Sequence, residues 1–151
     1  MEHIWKLTDT NDFVIALMEH LESKTQYGDD MSGLSKPERI FYITQILEME
    51  VNNGGFSQFF YNSSGDFSNE LVEAFTAIGA KTTAEICQKA MDAFGCVIPA
   101  DRDARKEMLD ELENDEVEEI LDECDDAFYD YEDDLNTLNY QFVMNNKSSF
   151  S

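Results

Sequence analysis

The sequence predicts an all-α fold, a single-domain bundle of about seven or eight helices joined by short loops. Three observations carry that prediction. Apolar residues recur three and four positions apart along almost the whole chain, and no Val/Ile/Thr-rich run alternates with period two. A serine or threonine stands three residues ahead of a glutamate at two places where such stripes begin. Only two prolines occur, Pro37 and Pro99, and neither falls inside a stripe.

The first helix is expected over residues 10–23, where Phe13, Val14, Leu17, Met18 and Leu21 share a face. A loop through Gly28 and Gly33 follows. Ser35 and Glu38 form a capping box for the second helix, with Pro37 suited to its first turn. Its stripe runs through Ile40, Phe41, Ile43, Leu47 and Val51, and Asn53-Gly54-Gly55 is expected to end it. Residues 56–62 read as a short aromatic helical turn, and Ser63 to Asp66 as a turn. A helix over residues 68–78 closes at Gly79. Thr82 and Glu85 form a second capping box, opening a helix that carries Ile86, Cys87, Ala90, Met91 and Phe94. Residues 101–113 predict another, with Met108, Leu109 and Leu112 inward, and Leu135, Leu138, Phe142 and Val143 mark the last. The domain is expected over residues 1–145, with 146–151 frayed.

Composition narrows the function. A chain of 151 residues builds a real core, and 42% hydrophobic residues supply it. The 33 acidic against 10 basic residues give a formal net charge of −23, so the chain repels nucleic acid and anionic lipid and attracts basic proteins. The absence of a basic–apolar leader pattern and of a long apolar run predicts a soluble, cytoplasmic protein. Cys87, Cys96 and Cys124 read as reduced thiols; Cys87 and Cys124 lie on apolar stripes, and Cys96 lies in a loop. His3 and His20 are the only histidines, no nucleophile motif occurs, and the acidic clusters lack the spacing of a calcium loop. The reading is non-enzymatic, with no catalytic residue, no metal ligand and no cofactor.

The most distinctive segment is Glu50-Val51-Asn52-Asn53-Gly54-Gly55-Phe56-Ser57-Gln58-Phe59-Phe60-Tyr61-Asn62. Paired glycines permit a sharp bend, the phenylalanines fill the space beneath, and the amides suit backbone groups left free at helix ends. The favoured reading is a structural corner; the functional one is a polar pocket with an aromatic floor. This stretch, E-x-x-N-G-G-F-x-Q-F-x-x-N, with Ala77-Ile78-Gly79-Ala80 after it, resembles the DMP19-like family (DUF4375) of small acidic bacterial proteins, most clearly over residues 38–93. The family motif positions are Asn52, Asn53, Gly54, Gly55, Phe56, Gln58, Phe59 and Asn62. The resemblance implies an all-helical domain, a homodimer, and an acidic surface that imitates DNA toward a transcription factor.

Fifteen acidic residues and no Lys or Arg occupy positions 110–134, while Val117, Ile120, Leu121, Cys124, Phe128 and Tyr131 keep a helical stripe. Read as one continuous helix, the segment would extend roughly 37 Å and carry about one carboxylate per 2.5 Å, near the charge density of duplex DNA. The expected partner surface comprises Asp110, Glu111, Asp115, Glu118, Glu119, Asp122, Glu123, Asp125 and Asp126. The leading expectation is an acidic binding protein that occupies the basic nucleic-acid-binding surface of a transcription factor or nuclease. Two alternatives stand beside it: a small-ligand or catalytic domain using residues 52–62, and an immunity or antitoxin-type protein against a basic toxin. A face that merely solubilises the chain is the bland reading.

Overall fold

A computed structural model describes all 151 residues, and every regular element in it is helical. Seven α-helices follow in order: α1 (Thr10–Lys24), α2 (Lys36–Tyr61), α3 (Leu71–Ala77), α4 (Lys81–Asp92), α5 (Arg102–Leu112), α6 (Asp115–Tyr129) and α7 (Leu135–Asn145). No helix is long and apolar enough to cross a membrane.

The long helix α2 is the spine. Its N-terminus is the predicted capping box: Ser35 Oγ accepts from Glu38 N–H, and Glu38 Oε1 accepts from Ser35 N–H at 3.0 Å. Glu38 is buried there because Lys24 Nζ meets its carboxylate at 2.8 Å. Around the spine, α1 and α7 pack on one side and α3 and α6 on others, α4 packs against α3 and α6, and α5 meets the C-terminal end of α2. Phe41, Leu47, Val51, Phe56, Phe59 and Phe60 contribute fully buried side chains to one shared core. Each such phenylalanine contributes about 1.5–3 kcal/mol by leaving water.

Four local expectations are corrected. The helix expected over 68–78 begins as a 3-10 stretch, Ser63–Glu70, and becomes α-helical only at Leu71. Ser64 Oγ donates to Phe59 O and Ser68 Oγ to Gly65 O, tying the tighter turns together. Thr82 is not an N-cap. Helix α4 starts two residues earlier, at Lys81 behind Ala80, which offers no capping side chain. Its free donors are met from elsewhere: Asp133 Oδ2 accepts from Thr83 N–H at 2.7 Å and from Thr83 Oγ1 at 2.9 Å. Residues 146–151 do not fray, since Phe150 is buried edge-on against Phe41, and Ser35 Oγ donates to Ser149 O at 2.7 Å.

The fourth correction bears on function. The acidic stretch is not one rod. It divides into the end of α5, the whole of α6, and a loop before α7. Glu113 leaves helical geometry, and Asn114 Oδ1 accepts from Val117 N–H at 3.0 Å, starting α6 afresh. The stripe also ends early: Tyr131 has left the helix, with φ +46°.

Candidate functional site

Gly55 breaks α2 without ending it. Its φ of +80° with ψ of −179° is a conformation essentially restricted to glycine. The break frees amide donors at the start of the second limb, residues 56–61, and Phe56 N–H donates to Asp125 Oδ1 of α6 at 2.8 Å. Across the bend, Glu50 Oε2 accepts from Gln58 Nε2 at 2.8 Å and from Asn62 Nδ2 at 3.1 Å. Tyr129 OH donates to Val51 O at 2.8 Å, and Asn52 Nδ2 donates to Tyr131 OH at 2.8 Å. Phe128 stands edge-on to Phe56. The motif is thus the bracket on which α6 is mounted. Asn53 and Gly54 stay exposed, and Phe59 packs edge-on to Phe60 in the core.

Mounted this way, α6 buries Val117, Leu121, Cys124 and Phe128 and turns its carboxylates outward. Of the fifteen acidic residues at 110–134, thirteen are exposed; Asp125 and Asp133 are half-buried, each holding a backbone amide. Asp125 therefore leaves the expected partner surface. It shares a face with Leu121 and Phe128, four and three positions away, and that spacing was the available signal. The other eight expected residues, Asp110, Glu111, Asp115, Glu118, Glu119, Asp122, Glu123 and Asp126, remain exposed. The single ion pair in the stretch joins Glu123 to Lys89 of α4 at 2.9 Å.

Beside this face, a cleft of about 420 Å³ opens between the second limb of α2 and the α5–α6 pair. Ser57, Gln58, Tyr61 and Asn62 line one wall, but Asn52 lies outside it, so the cleft is not the pocket centred on the amides that the sequence offered. Sequence reasoning also missed Arg105 of α5, which is 1% exposed. Its place one helical turn before Met108 and two before Leu112 puts it on the apolar face, a signal that a run of four charged neighbours obscures.

The bend, its bracing residues and the mounted acidic helix all lie within residues 32–146, and a family model described as DMP19-like protein matches those residues. The chain belongs to the DMP19-like family. No curated protein and no solved structure matches it. In this DMP19-like chain Gly55 and Phe56 of the characteristic N-G-G-F stretch support the acidic helix from beneath.

Crowded carboxylates tune their own titration. A hydrogen bond that the protonated Glu118 carboxyl donates to Glu113, reinforced by the charges of Glu113, Asp115 and Asp122, holds Glu118 above its ordinary range. Burial pushes Asp125 up, with Asp122 and Asp126 adding to it and the Phe56 amide opposing. Burial likewise raises Glu48 and Glu22. A carboxyl whose pKa is higher folded than unfolded binds more protons in the folded state, so stability rises as pH falls toward those raised values. The DMP19-like chain is expected to melt at a higher temperature near pH 5.5 than at pH 8, and added salt at pH 8 is expected to recover part of the difference. Circular dichroism melts at low protein concentration check this; a melting temperature that falls over that interval contradicts it.

Proposed function

We propose that the chain is a non-enzymatic acidic binding protein, working in the cytoplasm, whose α6 face occupies the basic nucleic-acid-binding surface of another protein such as a transcription factor or nuclease. One observation carries the reading. Helix α6 presents seven exposed carboxylates along about 22 Å, roughly one per 3 Å, with one cation paired to them. A single strand of duplex DNA spaces its phosphates by about 3.4 Å. A basic groove built to follow one phosphate strand meets similar spacing here, on a helix whose inner face is pinned at Asp125, Phe128 and Tyr129. The like-charge crowding on that face costs some helix stability, and a cationic partner relieves it.

The test is retention of basic proteins from cell extract at low salt, followed by elution with a salt gradient or with duplex DNA. A partner that uses its nucleic-acid site is expected to leave with DNA and to weaken steeply with salt. Reversing Glu118, Glu119, Asp122 and Glu123 to lysine is expected to abolish retention without unfolding the chain, because all four are exposed. Retention that is indifferent to salt and to the reversal overturns the reading.

A further inference from the structure

We propose that the cleft beside α6 is the anchoring pocket of that acidic surface, taking an apolar side chain that lies next to an arginine or lysine on a peptide segment of the basic partner. The proposal rests on the binding role argued above and adds a place and a chemistry to it.

The cleft has two chemically distinct parts. Its floor is apolar, built from Phe94, Leu109, Val117 and Leu121. Its rim carries Asp110, Glu113 and Glu118, and no lysine or arginine is paired with any of the three. Tyr61 stands at the mouth, 58% exposed, with Lys106 Nζ 5.4 Å from its ring centre. An ammonium already rests on that ring, so the mouth accommodates a cation against an aromatic face.

Charge complementarity selects the occupant. A neutral apolar group would leave three rim carboxylates facing one another, and a compact cation would leave the floor wet. A segment with a hydrocarbon side chain beside a cationic one satisfies both parts. The methylene stems of arginine and lysine also lie well along apolar surface while their heads reach carboxylates. A volume of about 420 Å³ holds one or two side chains, the size of a buried anchor at a protein interface. The location agrees with this choice, since Asp110 and Glu118 belong to the exposed acidic surface and to the cleft rim alike.

The experiment titrates the full chain with three short synthetic peptides: Leu-Arg-Gly repeats, charge-matched Ser-Arg-Gly repeats, and neutral Leu-Ser-Gly repeats. The Leu-Arg-Gly peptide is expected to bind about ten-fold more tightly than the Ser-Arg-Gly peptide. It should shift the methyl resonances of Leu109, Val117 and Leu121. Ser57→Trp, which fills the cleft from an exposed position and keeps every carboxylate, is expected to remove that preference while leaving Ser-Arg-Gly binding unchanged. Leu109→Gln gives the same readout should the tryptophan variant misfold. Equal binding of the two cationic peptides, unaffected by Ser57→Trp, overturns the pocket and leaves the acidic-surface reading standing. Binding of the Leu-Ser-Gly peptide as tightly as Leu-Arg-Gly overturns the cationic half of the proposal. Failure of both cationic peptides to bind counts against the acidic surface itself.

Discussion

Arg105→Met is expected to destabilise the fold by about 3–5 kcal/mol, enough to lower the melting temperature by roughly 10 °C. All five guanidinium donors are engaged. Nε donates to Phe60 O at 2.7 Å; one terminal nitrogen donates to Pro99 O and Ala100 O at 3.1 and 2.9 Å; the other donates to Asn62 O at 3.0 Å and Asp66 Oδ1 at 2.9 Å. Two of these carbonyls belong to the end of α2, where a helix leaves its last acceptors free, and two precede α5. One side chain thereby joins a helix end to the start of another. Gly65 leaves the space: a Cβ there would lie 2.6 Å from both Arg105 Nε and Phe60 O. Methionine fills a similar volume but takes this donor from Phe60 O, Pro99 O and Ala100 O, and an unpaired buried acceptor carries its full desolvation cost; Asn62 O keeps the Gly65 N–H at 3.0 Å and Asp66 keeps Arg102 at 3.1 Å. Lysine retains the charge and loses the fork, so Arg105→Lys recovers only part of the loss. Lys106→Met, one position along and exposed, is the control and should change stability little. Equal melting temperatures for the Arg105→Met and Lys106→Met variants would refute this account.

Gly55→Ala carries the second large effect, about 2–4 kcal/mol. The backbone conformation at Gly55 is strained for alanine, and the new methyl would run into the Asp125 carboxylate. The chain must then either straighten α2 or release α6. Limited proteolysis distinguishes this from a diffuse loss of stability, because cleavage is expected first in α6 and its flanks. Two substitutions at the facing residue sharpen the prediction. Asp125→Ala removes the acceptor for Phe56 N–H and should cost about 1–2 kcal/mol. Asp125→Asn keeps an acceptor oxygen and deletes a carboxylate crowded by Asp122 and Asp126, so it should leave stability at pH 7 unchanged or raised and should flatten its pH dependence. An Asp125→Asn variant as unstable as Asp125→Ala would show that charge, and not the hydrogen bond, holds the bend.

These two sites mark where the sequence was legible and where it was not. Contacts between near neighbours were readable. The Ser35–Glu38 box occurs as written, α1 spans the predicted residues to within one position, and Gly79 closes α3 in left-handed geometry, with Ala80 N–H reaching back to Phe75 O. Caps supplied from a distance were not readable. Thr82 and Glu85 match a capping box in spacing, yet the carboxylate of Asp133, fifty residues on, accepts the free α4 amide of Thr83 instead. Gly54 and Gly55 announced a break, but whether the chain would turn away or resume its helix depended on Asp125, which lies seventy residues from Gly55. The acidic helix was legible by its stripe; its start was hidden because Asn114, an N-cap, sat within a run of carboxylates that argued for continuity. The cleft had no linear signature at all, since its floor draws on Phe94, Leu109 and Leu121 from three separate segments.

The mounting of α6 has an evolutionary consequence. Its inward residues, Asp125 and Phe128, answer to the bend beneath them, while Glu118, Glu119, Asp122 and Glu123 face outward, tied only by the link from Glu123 to Lys89 and by their own carboxylate neighbours. Selection can therefore rewrite the outer surface one position at a time without disturbing the foundation. A lineage built on this plan is free to change what it grips while its architecture stays put.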